Sequence, residues 1–151
     1  MPTHRESRLI SLPPERLFDV VADVERYPEF LPLMKEARIL QRYENAYETE
    51  QTLALGMLEH RFRSRTELDR PHRILVKSFD KTFRRFDICW TFSPTPEGHC
   101  RVEFALDCEA RQLLLTPIVE LMVMPMASTM VDAFEARAHE LPPGEATPTA
   151  P

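Results

Sequence analysis

The chain has 151 residues, 43% hydrophobic and 28% charged, with a formal net charge of −5, a composition that fits one globular domain around a single core. Its acidic balance argues against a general nucleic-acid binder, whose affinity rests on clustered Lys and Arg. Three cysteines, Cys89, Cys100 and Cys108, form neither a CxxC pair nor an even framework, so they read as small buried hydrophobes rather than zinc ligands or disulfide partners.

The N-terminal run MPTHRESRLISLPPERL carries charges where a signal peptide needs an apolar stretch, so the protein is expected to be cytoplasmic. Residues 5–11 read as a strand, and Pro13-Pro14 then opens a helix in the turn that tolerates proline. Leu17, Phe18, Val21 and Val24 give that helix an apolar face. The run Tyr27-Pro28-Glu29-Phe30-Leu31-Pro32 follows as a short turn bracketed by prolines, so two small helical pieces precede the sheet.

From Lys35 the period becomes alternating, with Ala37, Ile39 and Gln41 opposed to Arg38, Leu40 and Arg42. After a turn at Asn45 come Tyr47, Thr49, Gln51, Leu53 and Leu55, ended by Gly56. Residues 60–68 set Phe62, Ser64, Thr66 and Leu68 against Arg61, Arg63, Arg65 and Glu67, whose charges belong in water. Residues 74–79 form the next strand. In residues 84–92, Phe86, Ile88, Trp90 and Phe92 alternate strictly with Arg85, Asp87, Cys89 and Thr91, giving one oily, aromatic face. A Pro94–Gly98 turn leads to the last strand, which opposes Val102, Phe104, Leu106 and Cys108 to Arg101, Glu103, Ala105 and Asp107.

Residues 113–134, LLLTPIVELMVMPMASTMVDAF, would make a helix roughly 33 Å long, about the thickness of a bilayer core. On a helical wheel Leu115, Val119, Met122, Met126, Met130 and Ala133 share one face, while Glu120, Ser128, Asp132 and Glu135 gather opposite. A bilayer span would expose Glu120 and Asp132 to hydrocarbon at several kcal/mol, so the segment reads as an amphipathic helix against a core. Pro125 should kink it. Residues 142–151, PPGEATPTAP, have the composition of a disordered tail behind a domain at residues 1–141.

These elements predict an α+β fold: a seven-stranded antiparallel sheet, strongly curved, wrapped around the long C-terminal helix, with two short helices between strands 1 and 2. Curvature leaves a space where the wall residues are large and uneven. Glycine occurs only at Gly56, Gly98 and Gly144, which rules out GxGxxG, Walker and GxSxG loops. The five histidines form no HExxH, and Asp107 with Glu109 reads as a solvated face. Four methionines fall in residues 122–130, and methionine is a flexible filler suited to a wall that must accommodate a long apolar guest.

The YPEFLP run at residues 27–32, FDICWTFSP at 86–94, GHCRVEFALDCE from Gly98 and MVDAFEARA at 130–138 together resemble the ubiquinone (coenzyme Q)-binding START-like family, grouped with polyketide cyclase/dehydrase and lipid transport domains. The resemblance spans residues 3–141. It implies a helix-grip fold, a hydrophobic cavity between sheet and helix, no metal and no nucleotide. The chain departs from the pattern at Leu33-Met34, where many relatives have a Trp-Cys pair, at Asp87-Ile88, which replaces a glycine-containing step, and at Pro125.

The leading expectation is non-enzymatic: a carrier or chaperone that holds ubiquinone or a similar isoprenoid lipid as ligand, requires no cofactor, and supports respiratory electron transport and quinone biosynthesis. The expected walls are Leu53, Leu55, Phe62, Phe86, Trp90 and Phe104 from the sheet, with Leu115, Val119, Met122, Met126 and Met130 from the helix. Phe30 and Leu31 are the expected gate. Exchange with a bilayer would need transient contact at the inner face of the cell membrane. A second expectation, drawn from bacterial relatives described as ribosome-association toxins, uses Arg61, Arg63 and Arg65 as an outer surface for a ribosomal subunit. A third, a cyclase or dehydratase, needs an inward acid or base, and the alternation offers only Thr49, Gln51, Ser64 and Thr66.

Overall fold

In a computed structural model, residues 2–141 are described. Strand β1 (Thr3–Ile10) leads to helix α1 (Pro14–Ala22) and a 3₁₀ segment (Val24–Glu29). Six strands follow: β2 (Met34–Tyr43), β3 (Ala46–Leu55), β4 (Leu58–Asp69), β5 (Arg73–Lys77), β6 (Phe83–Pro94) and β7 (Cys100–Ala110). The chain closes with the long helix α2 (Leu113–Glu140). The strands form one curved antiparallel sheet in the order β1-β7-β6-β5-β4-β3-β2, with α2 held in its concavity.

Local chemistry explains the elements. Pro14 occupies the first turn of α1, where its missing N–H has no intrahelical partner to lose. Gly56 adopts φ 60°, the conformation that lets a two-residue turn join β3 to β4. On β6 the burial alternates as the sequence does: Phe86, Ile88, Trp90 and Phe92 are buried. The predicted strand over residues 74–79 ends earlier, at Lys77; the Ser78 N–H still donates to the Phe86 carbonyl in register, while the Ser78 hydroxyl turns to the Arg63 carbonyl on β4. Phe79 is therefore left 80% exposed in the β5–β6 loop.

Helix α2 is not a uniform α-helix. It opens with a 3₁₀ turn (Leu113–Leu115), passes through one α turn and a π-helical turn (Val119–Val123), and is regular α from Met124. The π turn lies immediately before Pro125, so the widened turn, not an abrupt break, takes up the disturbance at the proline. The widened turn also shifts the buried face: Ile118, Val123, Ala127, Val131 and Phe134 join Val119, Met122, Met126 and Met130 in the core. The last turn is gripped by Arg16, whose Nη2 donates to the carbonyls of Ala138 at 2.8 Å and Leu141 at 2.6 Å, a cation on orphan carbonyls at a helix C-terminus. Arg16→Ala should cost about 1–2 kcal/mol in denaturant unfolding; an unchanged midpoint would remove Arg16 from this role.

The three cysteines are free thiols, with Cys100 and Cys108 buried in β7. Burial pushes their pKa values up to about 11 and about 12, which makes them inert hydrophobes at neutral pH. The tail expected at residues 142–151 lies outside the described residues.

Candidate functional site

The concave face of the sheet is apolar except for one strip. In the β3–β4 register Thr49 faces Ser64 and Tyr47 faces Thr66. The Thr49 and Ser64 hydroxyls are hydrogen-bonded at 3.0 Å, and Gln51 Nε2 donates to Thr49 Oγ1 at 3.2 Å. All four polar residues of the predicted inward set, Thr49, Gln51, Ser64 and Thr66, are buried. Tyr47 donates its hydroxyl to the Ala22 carbonyl at 2.8 Å, and Tyr27 donates to that of Val21. Burial raises the pKa of both phenols, far above the usual value for Tyr27, so both stay protonated.

Over this strip sits an enclosed cavity between β3–β6 and the middle of α2. Of the predicted walls, Phe62, Phe86, Trp90, Met126 and Met130 line it. The sequence placed Val24 only on the apolar face of the first helix, did not point to Tyr27 or Met34 as walls, and treated Tyr47, Ile74, Val76 and Ile88 only as strand residues. Val24 and Tyr27, both in the 3₁₀ segment, reach the cavity only because that segment folds back over the sheet, which no periodicity announces. The cavity is small: about 30 Å³, room for one or two waters against the 300–1,000 Å³ of typical ligand pockets. The open space expected from the sequence is thus closed by large side chains meeting across it.

The other predicted walls lie elsewhere. Leu53, Phe104, Val119 and Met122 are at most 2% exposed and packed in the core, not against the cavity. Phe104 lies behind Trp90, with ring centroids 4.6 Å apart. Leu115 is half-buried at the start of α2. Leu55 is 44% exposed, because the end of the β3–β4 hairpin projects beyond the concavity. Of the predicted gate, Leu31 is buried, and Phe30 packs edge-on against Tyr27 and Phe134 at 6.1 and 5.3 Å. Neither lines the cavity; Phe30 touches Tyr27, which does.

This turn is latched to α2. Arg137 Nη2 donates to Glu29 Oε1 at 2.7 Å, and the same guanidinium stands 5.1 Å from the centre of the Phe30 ring. Glu29 is half exposed and Arg137 mostly covered, so the latch is weaker than a buried pair and stronger than a free surface one.

On the outer face, the predicted basic stripe is largely neutralised. Hairpin register sets Glu50 opposite Arg63 and Glu48 opposite Arg65, giving ion pairs at 3.5 and 3.3 Å. Arg65 also reaches Glu67 and covers the Tyr43 ring. A hydrogen bond from Arg38, together with the charges of Arg61 and Arg63, holds the Glu50 carboxyl below its ordinary pKa.

A long helix gripped by a curved sheet, over an enclosed apolar cavity whose lining contains no carboxylate or imidazole among the described residues, defines the class of helix-grip domains. A family described as polyketide cyclase / dehydrase and lipid transport matches residues 10–135, and the chain belongs to it. It is 34% identical to the ribosome association toxin RatA of Pseudomonas aeruginosa, over 93% of this chain and 99% of that protein. It is 25% identical to the mitochondrial coenzyme Q-binding protein COQ10 homolog B of Xenopus laevis, over 91% of this chain and 58% of that one. The crystal structure of the Zhui aromatase/cyclase from Streptomyces sp. R1128 superimposes with a TM-score of 0.79 at 14% identity, covering 92% and 94% of the two chains. That last likeness is one of fold alone.

Proposed function

We propose that the protein is a non-enzymatic binder of an isoprenoid quinone or similar apolar lipid, held between the sheet and α2, and that the structure is its closed form. The observation that carries this reading is the lining itself: aromatic and methionine walls that also carry the buried Gln51 amide and Thr66 hydroxyl. Moving a prenyl tail out of a bilayer gains little, because the bilayer is equally apolar. Selective binding then needs a few polar contacts for the head group; with the Tyr27 and Tyr47 hydroxyls given to backbone carbonyls, Gln51 and Thr66 are the other polar side chains at the cavity surface. Met126 and Met130 can change rotamer to make room at small cost. Similarity to a protein named as coenzyme Q-binding supports the choice of guest.

The test is extraction of the purified full-length chain into organic solvent, with mass spectrometry and a thermal-shift titration with ubiquinone. A prenylated quinone should co-purify, and ligand at about 100 times its Kd should stabilise the fold by about 2.7 kcal/mol. The absence of both a bound isoprenoid and any shift in unfolding would overturn the proposal.

A second reading is favoured by the full-length similarity to ribosome association toxin RatA: association with a ribosomal subunit through the outer face. Since Arg63 and Arg65 are already paired with Glu50 and Glu48, such docking would have to exchange internal ion pairs for phosphate contacts. Sedimentation of ribosomal subunits with the protein, and with Arg61, Arg63 and Arg65 changed to Glu, decides it.

A further inference from the structure

At one end of the sheet, hydrogen bonds tie three chain segments side by side. His60 at the start of β4 meets Thr82 at 2.6 Å, the Arg63 N–H donates to Asp80, and the Arg111 N–H donates to the Thr82 carbonyl. The β3–β4 hairpin, the β5–β6 loop and the β7–α2 junction therefore share one end of the molecule. Each presents a large apolar side chain to solvent: Met57 (103% exposed), Phe79 (80%), and Leu113 and Leu114 (91% and 87%). Along α2, Leu114, Pro117 and Leu121 continue this exposed surface at helical spacing.

These tips belong to separate segments and stand free of one another's burial, a shape for entering a deformable medium rather than for filling a preformed protein groove. The charges next to them fit one such medium. Exposed Lys81 follows the Phe79 tip by two residues, and exposed Arg111 precedes the Leu113-Leu114 tip by two. The carboxylate between Phe79 and Lys81, Asp80, is turned into its own loop, accepting from the Thr82 N–H at 3.0 Å, the Thr82 hydroxyl at 2.8 Å and the Arg63 N–H at 3.2 Å. Of the other acids nearby, Glu59 is held by Lys35 and Glu109 lies 4.0 Å from Arg84, while Glu120 is exposed on α2. In a chain of net charge −5, cations placed directly beside the apolar tips suit anionic phospholipid headgroups above buried acyl chains.

We propose that this end docks onto the surface of an anionic lipid bilayer, with Phe79, Leu113, Leu114 and Leu121 inserted and Lys81 and Arg111 at headgroup level. This holds whatever guest occupies the cavity. The test is flotation of the full-length chain with phosphatidylcholine vesicles, with and without phosphatidylglycerol. The protein should float with the anionic vesicles. Leu113→Glu combined with Leu114→Glu should weaken binding on the order of 100-fold, and each of Lys81→Gln and Arg111→Gln about 5-fold. Leu9→Glu, at an exposed leucine paired with Arg101 near the opposite end of the sheet, should bind like the parent. Unfolding of each variant, followed in parallel, separates lost docking from lost fold. Equal flotation of parent and double variant would overturn the proposal. So would a dimer dissolved by the double variant with no vesicle binding, since a second copy would then be what covers these leucines.

Discussion

Replacing Trp90 with Ala is expected to destabilise the fold by about 3–5 kcal/mol, and at that cost to damage folding as much as any bound guest. Trp90 is 2% exposed. It stands parallel to Phe92 at 6.0 Å, packs on Phe104 at 4.6 Å, and meets Phe134 of α2 edge-on at 5.2 Å. It is thus the point at which the sheet grips the helix, and only one of its sides faces the cavity. Urea denaturation should show the midpoint drop with an unchanged slope; a loss below about 1 kcal/mol would mean the ring is not a keystone. For the cavity itself Met130 is the cleaner probe. Its walls are flexible, and Met130→Ala enlarges the space while leaving the aromatic stack in place.

Breaking the latch should have the largest functional effect at the smallest structural cost. Arg137→Met removes both the Glu29 ion pair and the charge over Phe30 and keeps most of the stem's packing. With those contacts together worth about 1–2 kcal/mol, the population of an opened turn should rise roughly 5- to 30-fold. Stopped-flow release of a fluorescent prenyl analogue should speed up by that factor, while Tm falls by only a few degrees. High salt should speed the parent's release and leave the variant's unaffected. Identical release rates would show that the guest leaves elsewhere than beside residues 27–31.

How far the sequence discloses this architecture differs from element to element. Strand β6 is legible because Phe86, Ile88, Trp90 and Phe92 keep strict parity against a polar edge, and the structure buries all of them. Strand β2 is not, because irregularities between Met34 and Glu36 and between Ile39 and Gln41 reset its facing, so Ala37 is buried while Gln41 is exposed. The wheel drawn for residues 113–134 assumes an even turn. The π segment at Val119–Val123 breaks that assumption and brings Val123, Ala127 and Val131 inward beside the methionines. The arginine stripe was visible as a run, but its neutralisation depends on which carboxylate lies across the hairpin, a matter of register rather than composition. Likewise the methionine wall could be read from α2, whereas Val24, Tyr27 and Met34 became wall residues only through tertiary folding.

The π turn before Pro125 divides α2 into an anchor and a lever. The anchor, from Met124 onward, is moored by Arg16 at its end, by Arg137 to Glu29, and by Arg8 to Asp132 and Glu135. The lever, residues 113–118, ends at the widened turn, and Pro125 has no N–H with which to stiffen the joint. Its greasy outer side is the same surface that meets solvent at the rim. A pull on the lever from outside would therefore be felt first at the π turn, at Val119 and Met122, so that the proposed contact with a lipid sheet and a loosening of the interior would become a single mechanical event.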